Sequence, residues 1–312
     1  MTALAEHLCD NIRQEISAAD AAIWDRIESE IVCKGLEVAL LNNPPTPSLE
    51  SHISELTASL ISEKEKLVIS EIFSGTRKLR LSRLLSYVIK SPSGIPIITT
   101  NYDRLVEIAA EEAGLGVDTM FAGRFVCILN ERESQLSFCR KIVTKGRKSS
   151  LQYKHRVRVF KPHGSLDWYL RDGRPVSYHG DLPSMPRLII TPGHNKFRNG
   201  YDSPFDHHRS RANEAIDRAQ RFLIIGYGFN DDHLETHLSP AIRDGKPALI
   251  ITHSLSSKAR QLALDFNNVI AIESNDRDGV SSSNLIIDKE KITISDCCLW
   301  DINSLITEVL EP

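Results

Sequence analysis

No stretch of this chain approaches the roughly 20 consecutive apolar residues that a bilayer-spanning helix requires. The opening segment, MTALAEHLCDNIRQEISAAD, has early acidic residues and lacks an apolar h-region, which excludes a secretory signal. Cys9, Cys33, Cys127, Cys139, Cys297 and Cys298 form no C-x-x-C pair, so a zinc site built from paired cysteines is not expected. Six cysteines without regular spacing in a chain of 312 residues imply free thiols in a reducing cytoplasm. Repeats of fixed period and low-complexity segments are absent, and a net charge of −3 supplies no global attraction to nucleic acid. What these absences leave is a cytoplasmic globular protein whose chemistry composition does not reveal.

The residues that are present divide the chain by texture. Hydrophobic content of 41% and charged content of 25% are those of an ordinary soluble protein, long enough for one large or two ordinary domains. Residues 1–90 read as helices: Leu4, Leu8, Ile12 and Ile16 share a helical stripe, and LISEKEKLVISEIF and LRLSRLLSYVIK repeat at helical spacing. NNPPTPS at 42–48 breaks that section, because its prolines remove donors and restrict the residues before them. SPSG at 91–94 is the next turn. After it come short apolar or β-branched runs: IPIITT (95–100), RVRVF (156–160), RLIIT (187–191), FLIIGYG (222–228), ALIIT (248–252) and VIAI (269–272). Helical patterns separate several of them, at 103–114, 212–220, 231–242 and 256–266. Alternation of this kind predicts an α/β fold, a doubly wound Rossmann-like parallel sheet covered on both faces. The chain is read as one domain: a helical section (1–90), a core (91–275) with an inserted segment at about 118–156, and a C-terminal extension (276–312).

In such a fold, ligands bind outside the carboxyl ends of the strands. Three polar clusters sit at predicted strand ends: TTNYD (99–103), FKPHGSLDW (160–168) and GYGFNDDH (226–233). Each has a plain structural explanation. Asn101 suits a helix N-cap, with Asp103 favoured in the first turn by the helix dipole. His163 could be a turn residue between Pro162 and Gly164. GYGFNDDH could be a tight turn whose glycines take positive φ and whose aspartates cap the next helix. Capping does not explain the histidine, and three polar strand ends of one sheet would converge on one crevice.

Together the motifs resemble the sirtuin-like (SIR2-like) NAD-consuming domains of bacterial anti-phage defence systems. TTNYD is similar to that family's Thr-x-Asn-x-Asp strand end, KPHGSLDW to its His-Gly catalytic loop, and LIIGYGFNDDH to its later glycine turn. The resemblance extends from about residue 30 to about residue 275 and implies that NAD is the substrate. It implies Asn101 and His163 as the catalytic pair, and Thr100, Asp103, Gly164, Gly226, Gly228, Phe229, Asn230 and Asp231 as the dinucleotide-binding residues. The chemistry suits those types. An amide such as Asn101 can hold a ribose or a water without adding charge at an oxocarbenium-like centre. A histidine changes charge near neutral pH and can take a proton from water or a ribose hydroxyl. Asp103 would bear on the nicotinamide carboxamide or orient its loop. Gly226 and Gly228 would admit the backbone to the dinucleotide, and Asn230 and Asp231 would fix the turn.

The reading that follows is an NAD hydrolase releasing nicotinamide and ADP-ribose, the effector of a defence system that depletes NAD. The resemblance implies a homo-oligomer, with a HerA-like ATPase or another sensor as partner, no membrane, and nucleic acid only indirectly. Deacylating sirtuins carry a zinc ribbon, and the missing cysteine pairs speak against deacylation and against zinc. The family also opens with a Gly-Ala-Gly phosphate loop, which nothing here resembles. Two explanations stay open: Met1 is internal to a longer product, or this member has lost the loop. A non-catalytic nucleotide-binding or assembly subunit is the alternative.

Other features read more plainly. KIVTKGRKSSLQYKHRVRVFK (141–161) concentrates Lys and Arg, as a solvated hairpin-like insertion or as a docking surface for an acidic partner. His207 and His208 are adjacent and so point apart, which makes a shared metal improbable. Cys297 and Cys298 suit packing. GLEVALL (35–41) resembles a helix over the site and equally suits a core helix.

Overall fold

A computed structural model describes residues 2–88, 91–182, 185–191, 202–275 and 281–311. Helix α1 (Thr2–Asn11) is followed by α2 (Ala18–Lys34), α3 (Leu36–Asn42) and α4 (Pro47–Phe73). Capping chemistry sets the boundaries. Ser17 accepts the Asp20 N–H at 3.1 Å to start α2, and Thr46 accepts the Leu49 N–H at 3.1 Å ahead of Pro47, whose missing donor is no loss in a first turn. The predicted apolar stripe faces inward. Leu8 and Ile12 are fully buried in a cluster with Trp24, Ile27, Leu40 and Leu49, and Leu4 and Ile16 pack against it.

The chain forms two compact units, Met1–Leu79 with Lys90–His208, and Arg80–Ile89 with Arg209–Pro312. Helix α5 (Arg80–Leu85) belongs to the second, and α6 (Leu105–Glu112) and α7 (Glu131–Ser137) to the first. Strands of the first unit begin with β1 (Ile95–Ile98), β2 (Gly116–Asp118), β3 (Phe121–Ala122), β4 (Cys127–Leu129), β5 (Cys139–Lys145) and β6 (Lys148–Tyr153). They continue with β7 (Arg156–Phe160), β8 (Gly164–Arg171), β9 (Arg174–Ser177) and β10 (Arg187–Ile189). A parallel sheet has the order β1-β7-β2, and an antiparallel one the order β10-β8-β9-β4-β3; among the described residues β5 and β6 pair only with each other. In the second unit, β11 (Phe222–Ile225), β12 (Ala248–Ile251) and β13 (Val269–Ser274) are parallel and joined through helices Asp232–Arg243 and Ser257–Asp265. Strands β14 (Ser282–Ile287) and β15 (Glu290–Ser295) complete that sheet antiparallel. The α/β expectation is met, with parallel strands and helices in alternation, but the parallel strands fall in two sheets rather than one, so the strand end at GYGFNDDH does not share a sheet with those at TTNYD and FKPHGSLDW.

Several elements differ from the sequence reading. RLIIT supplies β10, which pairs antiparallel with β8 and so lies outside the parallel sheet. Strands β8 and β9 were not foreseen, although Asp172-Gly173 between them is a hairpin signal; both take positive φ, +51° and +71°. Residues 282–295, read as an extension, are two strands joined at Asp288 and Lys289, again with positive φ of +49° and +68°. The basic segment is not uniformly solvated. Arg156 and Lys161 are each 1% exposed. The Arg156 guanidinium lies 4.6 Å from the Tyr153 ring centroid, with its Nε 3.6 Å from Asp118, so it is a core cation paired as burial demands.

A buried imidazole closes the first unit's core. His208, on the helix Phe205–Arg218, is fully buried with its ring centroid 4.4 Å from that of Trp168. Its Nδ1 accepts the Lys161 N–H at 3.1 Å, which requires the neutral ring with the proton on Nε2. Burial, reinforced by the Lys161 charge, pushes its pKa from 6.5 down to about 3. Unfolded chains take up a proton that the fold refuses, so this stabilisation is complete above about pH 6.5 and is lost as pH falls towards 3. Thermal unfolding followed from pH 7 to pH 4 should show wild type losing up to about 1.4 kcal/mol per pH unit relative to His208→Gln. Parallel pH profiles for the two proteins would contradict this assignment.

Candidate active site

Two adjacent parallel strands deliver the first two polar clusters to one edge. Ile98 at the end of β1 is register partner of Phe160 at the end of β7, and the Thr99 N–H extends the ladder to the Phe160 carbonyl at 3.0 Å. Asn101 is the third residue beyond Ile98, and His163 the third beyond Phe160. The loops are then bonded to each other. The Tyr102 carbonyl accepts the Leu166 N–H at 3.0 Å and the Ser165 hydroxyl at 3.4 Å. This is the carboxyl edge at which α/β proteins bind ligands.

Asn101 does not cap a helix. Helix α6 starts four residues later, at Leu105, and it is Asp103 Oδ1 that accepts the Leu105 N–H, at 3.1 Å. Thr99 Oγ1 accepts the Asn101 N–H at 3.2 Å on one side. On the other, the Tyr102 hydroxyl donates to the Ile190 carbonyl at 2.5 Å, and its ring packs with Ala58, Leu166 and Ile189. Burial holds the Tyr102 phenol well above its usual pKa. Between these anchors the Asn101 side chain is exposed, with no partner among the described residues. The backbone is fixed and the amide is available. Thr100 beside it is half-buried.

His163 sits in the turn from β7 to β8, half-buried, with its carbonyl accepting the Ile190 N–H at 2.8 Å. Gly164 makes that turn possible. Its φ is +93°, and a Cβ there would stand 2.1 Å from the Leu188 carbonyl oxygen. The role this structure gives Gly164 is therefore conformational.

Beneath both loops lies Lys161, the last residue of the basic segment, which is buried and so serves neither as a solvated cation nor as part of a docking surface. Its ammonium has three donors and three acceptors: the Asp103 carbonyl, Ser165 Oγ at 3.2 Å and Glu107 Oε1 at 2.8 Å. One group thus links the Asn101 loop, helix α6 and the start of β8. Burial raises the Glu107 pKa against the opposing pull of Lys161. A second buried carboxylate, Glu65 of α4, accepts from the Arg104 backbone N–H and Nη2, both at 2.5 Å, and from its Nε at 3.1 Å. Arg104 Nη1 also reaches the His179 carbonyl at 2.9 Å. A signal for Glu65 existed: it falls on the buried stripe of α4 that starts with Leu49 and Ile53, where an apolar residue belongs.

The third cluster lies in the second unit, at the end of β11. Gly226 has φ +62° and donates to the Ile251 carbonyl at 2.9 Å. Phe229 also takes positive φ, +57°, but its side chain is fully buried, 5.1 Å from the Tyr227 ring, so only its backbone could meet a ligand. Gly228 is half-buried and Asn230 exposed. Asp231 caps the helix Asp232–Arg243, its Oδ1 accepting the His233 and Leu234 N–H groups at 3.1 and 3.0 Å. Among the described residues no group of three or more His, Cys, Asp or Glu is arranged to hold a metal.

The Lys161–Glu107 pair generates a stability prediction. Lys161→Met should destabilise the protein by about 3 kcal/mol or more, because it strands a buried carboxylate. Adding Glu107→Gln should restore a measurable part of that loss in a double-mutant cycle read by denaturant unfolding. Strictly additive effects would mean the pair does not couple.

Residues 96–272 match the family model for the SIR2-like domain, a span that covers more than half the chain and contains all three clusters. A search of the curated proteins finds no match. The chain belongs to the SIR2-like family, and its chemistry is related to NAD.

Proposed function

We propose that this protein hydrolyses NAD+ at the nicotinamide–ribose bond, releasing nicotinamide and ADP-ribose. The observation that carries the reading is the placement of Asn101. It is an exposed amide, held by anchored neighbours, without a folding role, at the same step beyond its strand as His163 beyond the adjacent one.

The chemistry asks little else of the side chains. Nicotinamide leaves NAD+ as a neutral molecule from a cationic ring, so no acid is needed to protonate the leaving group. As the C1′–N bond breaks, positive charge gathers on the ribose, as in other glycosidic cleavages. Water then forms the C1′–O bond and loses one proton. His163 is the proposed acceptor of that proton. Asn101 can accept from the water through Oδ1 and donate to a ribose hydroxyl through Nδ2, adding no charge beside the developing cation. Asp103 uses Oδ1 at the start of α6, which leaves Oδ2 as the atom proposed for the carboxamide. Thr100 is proposed as a contact to the dinucleotide.

The proposal includes the setting. Motif resemblance supports an anti-phage effector that depletes NAD, acting as a homo-oligomer with a HerA-like ATPase or another sensor. No described helix is long and apolar enough to cross a membrane.

Nicotinamide release by the purified chain, alone and with a partner from a neighbouring gene, tests the reading. Asn101→Ala and His163→Ala should each lower turnover by at least about 100-fold, the contribution of a positioned acid–base or polar group. The unfolding midpoint of Asn101→Ala should stay at the wild-type value, since that side chain is exposed. Wild-type turnover in either variant would remove that residue from the mechanism.

A further inference from the structure

The ribbon β5–β6 has no evident role in the proposed chemistry, and its charges are unusual. From Ser134 to Leu166 the sequence contains no Asp or Glu. Arg140, Lys141, Lys145, Arg147, Lys148 and Lys154 are all exposed, and none has a carboxylate partner among the described residues. The pairing register sorts the strand side chains by face. Lys141 opposite Gln152, Val143 opposite Ser150 and Lys145 opposite Lys148 share one face. Ile142 opposite Leu151 and Thr144 opposite Ser149 share the other. Ile142 is 65% exposed and Leu151 39%, so the ribbon is not packed down on its apolar side either.

A lysine directly opposite a lysine destabilises a two-stranded ribbon. No carboxylate among the described residues offsets the Lys145–Lys148 pair, and an isolated hairpin has little stability in reserve. The arrangement makes sense if an external anion neutralises it. The opposed Lys145–Lys148 pair near the tip, Lys141 further along the same face, Arg147 in the turn and Arg140 and Lys154 at the base spread charge along the length of the ribbon rather than around a pocket. A line of cations matches a polymer of phosphates, which presents charge at a regular spacing.

We infer that the ribbon β5–β6 is a docking element for duplex DNA, held by Lys141, Lys145 and Lys148 against the phosphate backbone. Its shape selects the duplex form. A B-form major groove admits a two-stranded β-ribbon, whereas the major groove of duplex RNA is too narrow. Exposed aromatic rings are absent from the described ribbon residues, which argues against a platform for stacking single-stranded bases. The contacts are with backbone, so binding is expected to be insensitive to sequence and strongly sensitive to salt.

Fluorescence anisotropy of the full chain with a short labelled DNA duplex tests this without reference to NAD turnover. Wild type should bind at low salt with a log–log salt slope of about −5, if six cations each displace roughly 0.9 counterion. Lys141→Gln, Lys145→Gln and Lys148→Gln combined should lower affinity at least about tenfold and flatten the slope by about 2.7. The unfolding midpoint of the triple variant should be unchanged or higher, because the opposed pair is gone. No binding by wild type, or unaltered binding by a folded triple variant, overturns the inference. Equal affinity for an RNA duplex of the same sequence overturns the groove assignment, and equal affinity for polyglutamate overturns the choice of nucleic acid.

Discussion

A buried ammonium organises the first unit's candidate site. Lys161 is 1% exposed, and each of its polar groups is engaged: the backbone N–H with His208, the carbonyl with Gly164, the ammonium with Asp103, Ser165 and Glu107. An isolated buried charge would be prohibitive, so these partners are obligatory. They come from the β1 loop, α6, the turn after β7, β8 and the helix that carries His208. To keep Lys161 satisfied, the chain must hold the two loops that display Asn101 and His163. Glu65 adds a second clamp, fixing α4 to Arg104 at the end of the same loop.

Within that frame, polar residues at the strand ends divide into those that build the turn and those left over. Asp103 and Asp231 accept N–H groups at helix starts, Tyr102 bonds the Ile190 carbonyl, and Gly164 occupies a left-handed conformation that a larger residue could not share. Their types follow from folding. Asn101 has no such task, and an amide on a fixed backbone is what a reaction with a developing ribose cation can use. Plain capping, which suited both aspartates, fails for the asparagine because α6 begins too late.

Much of this was legible in the sequence. The run ALII gave a parallel strand because burial on both faces demands near-continuous hydrophobicity, and FLII gave its neighbour, although Leu223 and Ile225 of that strand are exposed. The proline cluster marked the start of α4, and the order of the three motifs pointed to the family that the match over residues 96–272 shows. The antiparallel strands β8 and β9 escaped, although Asp172-Gly173 marks their turn, because GSLDWYLR lacks the alternation of a half-buried strand. Six of its eight residues are buried, Ser165 and Asp167 among them. Lys161 left no signal in the sequence, and the partners of both Lys161 and Glu65 were hidden, for a different reason. A lone charge in a sequence reads as solvated until its partners are known, and those partners lie up to 58 residues away for Lys161 and 39 for Glu65.

The central claim is that the loops after β1 and β7 hold the nicotinamide ribose of NAD. Its most direct test is a crystal structure of the His163→Ala chain with intact NAD bound. The account predicts the ribose C1′ beside the vacated imidazole position, with the Asn101 amide within hydrogen-bonding distance of a ribose hydroxyl or of a water facing C1′. A nicotinamide ribose bound away from these two loops would contradict it.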